Sequence, residues 1–242
     1  MGSSNDWSSL VNMHFPEYCN ILVDLPGHGK SQILEQSDYA ILLDDLVDQL
    51  STAGISQFVP IGYSMGGRIA LHIQQAYPDH VPALVGLSTA PGIKDNNERL
   101  SRLASDTSLM NELEACGFES FLNEWYDLPL FCSIHNNKPL IDSLIASRSK
   151  NDPKQLRKSL ELLGNGAMPS LWEDLTEMNL PILLVTGTED KKYENINLEM
   201  SNLMPLAEHQ SIQGADHTFH LEKPLDTAHL IRHFLRQVIE GV

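Results

Sequence analysis

Apolar residues along this chain fall into two kinds of run. Four short stretches, Cys19 to Asp24, Gln57 to Gly62, Val81 to Leu87 and Pro181 to Gly187, are apolar nearly throughout. Such runs fit strands of a parallel sheet covered on both faces, because neither face then needs polar side chains. Elsewhere the period lengthens. Tyr39, Leu42, Leu43, Leu46 and Leu50 recur at helical spacing while Asp44, Asp45 and Asp48 take the opposite face, with Ser37 placed to cap the helix. A helix over Arg68 to Gln75 follows the second strand run. A last one starts at Pro224, a favourable first-turn residue, and buries Ala228, Ile231, Phe234, Leu235 and Val238. This alternation predicts an α/β fold, a mostly parallel sheet with helices on both faces.

From about Asp95 to Asn179 the strand pattern disappears. Leu109, Met110 and Leu113, then Ile141, Leu144 and Ile145, recur at helical spacing and predict a helical cap inserted into the sheet. The chain thereby divides into a first sheet segment over 1–94, a cap over 95–179 and a second sheet segment over 180–242. No repeat, low-complexity tract or long linker separates them, so the cap is expected to pack on the sheet.

Charge narrows the partners. The 242 residues carry 32 acidic and 16 basic side chains, a formal charge of −16 with histidine neutral. Nucleic acid and anionic membrane surfaces are held by Lys and Arg clusters, so neither is an expected partner. A small-molecule enzyme, monomeric or homodimeric, fits better. No apolar run approaches the ~18 residues of a spanning helix. Met1 to Leu10 lacks the basic and apolar parts of a signal peptide, which predicts a cytoplasmic protein. Cys19, Cys116 and Cys132 are odd in number and widely spaced, as reduced thiols would be.

The chemistry concentrates at Gly62-Tyr63-Ser64-Met65-Gly66-Gly67, between a strand run and a helix. A Gly-x-Ser-x-Gly turn at such a junction needs glycines for the tight reversal. It leaves the serine hydroxyl exposed above the sheet, which makes Ser64 a candidate nucleophile or base. Serine is too weak an acid to act unaided and needs a histidine oriented by a carboxylate. Asp190 follows the last strand run at the carboxyl edge where open α/β sheets place their sites, and His217 lies in a loop before the final helix. Taken singly, Asp190 reads as a helix cap and His217 as a loop histidine; their joint placement carries the chemistry. Glu189 and Asp216 compete for the carboxylate role. Asp190 is preferred because Asp216 adjoins His217 and is badly placed to reach Nδ1. His209, His217 and His220 raise a metal site, but no HExxH helix or Cys/His pair supports it, and neither metal nor cofactor is expected.

Together with the loop Asp24-Leu25-Pro26-Gly27-His28-Gly29-Lys30-Ser31 and the cap, this serine, aspartate, histidine order resembles the α/β-hydrolase fold over nearly the whole chain. More narrowly, Gly66-Gly67-Arg68, Pro91-Gly92 with Glu98-Arg99, Trp125-Tyr126 with Pro129 and Phe131, Arg148-Ser149, Lys192-Tyr193 and His217 to Pro224 resemble the 2-succinyl-6-hydroxy-2,4-cyclohexadiene-1-carboxylate (SHCHC) synthases of menaquinone biosynthesis. The resemblance implies a lyase that abstracts a proton from a small anionic substrate, the open-chain enolpyruvyl compound SEPHCHC, and eliminates pyruvate without a cofactor. It implies Ser64, Asp190 and His217 as catalytic residues, Arg68, Arg99, Arg148 and Lys192 as carboxylate ligands, Trp125 and Tyr126 as walls for the ring, and Tyr63 in the same pocket. A polyanion bound by a protein of charge −16 needs local basic groups, and guanidinium forks match carboxylates. Arg68 lies one helical turn after Ser64. On physical grounds alone an Arg on a cap helix reads as a surface residue, Phe131 and Cys132 as core, and His28 as loop packing. A hydrolase using the same triad on an ester or carbon–carbon bond is the nearest rival, and an inactive homologue the next.

In this fold one oxyanion donor is the amide after the nucleophile, here Met65. A second comes from a loop after an earlier strand, within a His-Gly-x-x-Gly motif. Gly2-Ser3-Ser4 followed by Asp6-Trp7 resembles the tail of that motif. The expectation is that the His-Gly pair and the strands before it lie upstream of Met1, which would expose a sheet edge and apolar helix faces.

Overall fold

The computed structural model describes residues 1–241, so Val242, the last residue of the expected second sheet segment, lies outside the described residues. In chain order the elements are α1 (Asn5–His14), α2 (Tyr39–Thr52), β1 (Ile61–Tyr63), α3 (Met65–Ala76), β2 (Leu84–Leu87), α4 (Asn96–Cys116), α5 (Phe118–Tyr126), α6 (Lys138–Arg148), α7 (Pro153–Leu163), β3 (Ile182–Gly187), α8 (Lys191–Leu203), β4 (Ala207–Ile212), α9 (Phe219–Glu222) and α10 (Pro224–Leu235). The strands pair in parallel in the order β1-β2-β3-β4, with Gly62 opposite Gly86 and Gly86 opposite Leu184. Parallel neighbours need a crossover, and helices supply each one.

Successive strand residues point to opposite faces and feed two cores. Leu84, Ile182 and Leu184 pack with Leu42 and Val47 of α2 and Ile69 of α3. Val85, Leu183 and Val185 pack with Leu10 of α1 and Ile231 and Phe234 of α10. Helices therefore cover both faces, as the apolar strands require. Between β2 and β3 the long excursion is helical, and α4 to α6 carry small apolar clusters of their own around Leu122 and Ile134. Leu163, at the end of α7, returns to the sheet core. Among the described residues no helix is long and apolar enough to cross a membrane.

The structure corrects several expectations. Cys19 to Asp24 joins no ladder, and Ile21, Leu22 and Val23 stay 44%, 38% and 40% exposed. A strand exists only through pairing, and this segment, which like β1 lines an apolar cavity, has no ladder partner among the described residues. The run from Gln57 shortens to β1, because Pro60 has no amide to donate and the Phe58 amide bonds to the carbonyl of His80. β4 has no apolar run: Glu208 and Gln210 face solvent, as an edge strand allows. The cap of α2 is Asp38 rather than Ser37, its carboxylate accepting the Ile41 amide at 2.9 Å. Helix α3 starts at Met65, a turn earlier than the pattern indicates.

Candidate active site

The turn after β1 holds Ser64 at φ 52° and ψ −110°, a region that a residue with a Cβ enters only under constraint. Close approach explains the flanking glycines. A Cβ on Gly62 would lie 2.3 Å from the Gly66 carbonyl carbon, and one on Gly67 would lie 2.6 Å from Thr89. The Ser64 amide donates to the Leu87 carbonyl at 2.8 Å, and Thr89 Oγ1 donates to the Ser64 carbonyl at 3.0 Å, so the strained turn is tied to the end of β2. Met65 opens α3, so its amide is one of the N-terminal donors that have no partner within the helix.

His217 lies beside this turn, with Nε2 3.2 Å from Ser64 Oγ and Nδ1 2.6 Å from Asp190 Oδ2. A carboxylate only accepts, so Nδ1 carries the proton and Nε2 is left to accept from Ser64. Asp190 and His217 are 4% and 3% exposed. Asp190 is both a cap and a histidine partner: Oδ1 accepts the Tyr193 amide at 3.4 Å at the start of α8, while Oδ2 takes His217 and the Ser88 hydroxyl at 3.0 Å. Ser88 follows β2 directly and also has a positive φ, 42°. Asp216 accepts the backbone amide of His217 at 2.8 Å, and burial raises its carboxyl above the usual range.

Ser64 and His217 line a cavity of about 1170 Å³. Tyr63, Trp125, Tyr126 and Arg148 line it. Arg148 is held by Asp6 at 2.6 Å, with both side chains largely buried. Arg68, Arg99 and Lys192 lie outside the lining. Arg68 turns into the core, where Nε meets Met168 Sδ at 3.3 Å and its guanidinium donates to the Leu163 carbonyl at 3.0 Å. Burial lowers its pKa to about 10. Arg99 is half-buried on α4, one turn before Arg102, and Lys192 is exposed, its ammonium 5.9 Å from the ring centre of Tyr193.

Several lining residues escape the sequence reading. Arg102 lines the cavity, its Nε 2.7 Å from Asp106, and its three-residue spacing from Arg99 is the signal that both share a face of α4. Tyr193, next to Lys192, lines the cavity with its ring against His217. His220 is buried, stacks on Trp7 and packs on Tyr63, and burial pushes its pKa down to about 3. His28 is likewise pushed to about 3 by burial. Phe131 is buried, whereas Cys132, expected in the core, is exposed along with Cys19 and Cys116. Among the described residues no three His, Cys, Asp or Glu side chains converge as a metal ion would require, and His209 instead pairs with Thr186 at 2.8 Å.

A sequence model of the alpha/beta hydrolase fold matches residues 1–224. A 2-succinyl-6-hydroxy-2,4-cyclohexadiene-1-carboxylate synthase of Photorhabdus laumondii is 30% identical over 97% of this chain and 82% of its own length. A Bacillus subtilis protein bearing the same name with a provisional qualifier is 34% identical over 98% of this chain and 88% of its own. The structure of MenH from S. aureus matches with a TM-score of 0.87 at 31% identity, covering 96% of this chain and 90% of that one. A thermophilic esterase from Thermogutta terrifontis reaches a TM-score of 0.81 at 21% identity over 98% and 86% of the two chains, a likeness of fold alone.

Proposed function

This chain belongs to the α/β-hydrolase fold family and, within it, to the SHCHC synthases, and from that membership we propose that it eliminates pyruvate from SEPHCHC to give SHCHC in menaquinone biosynthesis. The observation that carries the reading is the hydrogen-bonded line Ser64–His217–Asp190 opening onto a cavity whose wall holds two arginines, Arg102 and Arg148.

Asp190 fixes His217 with its free nitrogen toward Ser64, so Nε2 takes the serine proton and Ser64 takes the ring proton of the substrate. The electron pair left behind expels the enolpyruvyl oxygen, and the proton on His217 passes to the departing pyruvate. Negative charge developing near Ser64 meets the Met65 amide at the positive end of α3. Arg148 and Arg102 receive carboxylates. Each is already held by an aspartate, but a guanidinium has five donors and serves both partners. Tyr63, Trp125 and Tyr126 wall the ring, and residues 95–179 act as a cap that carries Trp125, Tyr126 and Arg148 to the sheet's carboxyl edge. Arg68, Arg99 and Lys192 are assigned no substrate contact. The substrate is a free, small polyanion, and the enzyme works in the cytoplasm without a cofactor.

Pyruvate release from SEPHCHC, measured beside a Ser64→Ala variant and an activated ester, tests this. Release is expected from the parent chain and a loss of about a thousand-fold or more from the variant. Wild-type release by Ser64→Ala overturns the proposal, and turnover of the ester alone moves the assignment to a hydrolase.

A further inference from the structure

Ser88 and Thr89 follow β2, the strand that lies between β1, which ends beside Ser64, and β3, which ends three residues before Asp190. The Ser64 amide donates to the Leu87 carbonyl and the Ser88 amide to the Val185 carbonyl, each at 2.8 Å, so the ends of the three strands are stapled in register. From this buried turn the two side chains reach the two ends of the Ser64–His217–Asp190 line. Ser88 Oγ donates to Asp190 Oδ2 at 3.0 Å, on the same oxygen that takes His217 Nδ1 at 2.6 Å, and Thr89 Oγ1 donates to the Ser64 carbonyl at 3.0 Å. Asn197 of α8, also buried, donates to the Thr89 carbonyl at 2.6 Å and to the Tyr193 carbonyl at 2.9 Å, which fastens the helix that Asp190 caps to the same turn. We propose that Ser88 and Thr89 are positioning residues that set the spacing of the line, Ser88 by holding the carboxylate and Thr89 by holding the turn of Ser64. This role rests on the reading of Ser64, His217 and Asp190 as the working groups of pyruvate elimination.

A carboxylate removed from water needs donors, and Asp190 has the Tyr193 amide on Oδ1 with Ser88 and His217 on Oδ2. Ser88 is bonded to the sheet through its amide, whereas His217 sits in a turn between β4 and α9. The hydroxyl therefore ties the carboxylate to the strand frame, and the carboxylate in turn orients the imidazole. The backbone agrees, because Ser88 holds a φ of 42° that glycine would adopt without strain, and such strain persists where the side chain is needed. The hydroxyl also shares the charge on Oδ2. Without it more of that charge falls to His217 Nδ1–H, the protonated imidazole is favoured, and the neutral form that takes the Ser64 proton is reached only at higher pH. Thr89 packs over Gly67 and Gly86, so its hydroxyl is held against the strained turn from the β2 side.

Labelling of Ser64 by a fluorophosphonate, in which the serine oxygen displaces fluoride, tests this without the natural substrate, and its rate constant does not depend on the fraction of chain folded. In Ser88→Ala, and in Ser88→Gly, which relieves the backbone, the pH midpoint of labelling should rise by about half a unit to about one unit. The plateau rate constant should fall by about 3-fold to about 30-fold. Thr89→Val keeps the shape of the side chain and should lower the plateau by a similar factor with the midpoint unmoved, and Thr89→Ser should bring it back to within about threefold of the parent. Asp190, Asp216, Tyr63, Tyr193 and His220 are titratable neighbours of His217, and none of these variants alters one. A parent midpoint in both Ser88 variants overturns the proposal, and so does a Thr89→Ser plateau no better than that of Thr89→Val. If labelling follows the hydroxyls but the parent chain releases no pyruvate, the elimination reading fails and the positioning role stands. A parent chain labelled no faster than Ser64→Ala removes the working line and the proposal with it.

Discussion

Ser64 and Ser88 are the two non-glycine residues with positive φ among those described, and both feed the same hydrogen-bonded line. At Ser64 the strain is imposed by a turn pinned to Leu87 and Thr89, and it lifts the hydroxyl out of the backbone toward His217. Strain of this kind costs on the order of 1–3 kcal/mol, and glycine would relieve it at the expense of about 0.5–1 kcal/mol of unfolded-chain entropy. Ser64→Gly is therefore expected to be inactive yet more stable by about 1 kcal/mol, read as a higher urea midpoint at unchanged slope; a lower midpoint would mean the turn is relaxed with serine in place. Ser88 works differently, since its hydroxyl gives the buried Asp190 oxygen a second donor and limits how far the carboxylate swings from His217.

At the scale of elements, α1 and α6 are clasped by Asp6 and Arg148 across the cavity wall, with side-chain exposures of 12% and 8%. Asp6 also accepts the Ser3 amide at 3.0 Å, so the pair carries a further hydrogen bond. Removing one partner leaves the other charged and dry. Asp6→Ala should destabilise the fold by about 3–5 kcal/mol, whereas exchanging both residues for apolar ones should restore most of that loss. Thermal melts of the single and double variants check it, and additive losses would show that the pair is solvated.

On the scale of the whole molecule, three buried histidines set a pH dependence. Burial lowers His28 and His220 to about 3 and His72 to about 4, from an ordinary value of 6.5. Above pH 6.5 folded and unfolded chains both hold them neutral. As the pH falls below 6.5 the unfolded chain takes up protons that the fold refuses, so stability drops, and the drop continues until the folded values near 3 to 4 are reached. Neutralising carboxylates relieves the self-repulsion of a −16 chain over part of the same range, so the comparison is with a variant. His28→Gln should lose less stability than the parent between pH 7 and pH 5 in urea melts, and equal losses would place His28 outside the titrating set.

Local chemistry is what the sequence determined. The glycine-flanked serine between strand and helix, the two apolar faces of β2 and β3 and the α10 stripe are fixed by neighbours within a few residues, so spacing reveals them, and the order Ser64, Asp190, His217 is legible along the chain. Pairing and docking were decided only in three dimensions. Cys19 to Asp24 has the composition of a strand but no ladder partner among the described residues, and β4 has the pairing without the composition. The turn spacing that sets Arg68 below Ser64 says nothing of Leu163, whose carbonyl closes α7 and takes the guanidinium away from the cavity. Which of Arg99 and Arg102 lines the cavity depends on how far along α4 the cavity reaches, which of Lys192 and Tyr193 does depends on how α8 is rotated, and Ser88 reaches Asp190 across 102 residues of chain. A helix period gives a face; only the packed partner says what that face touches.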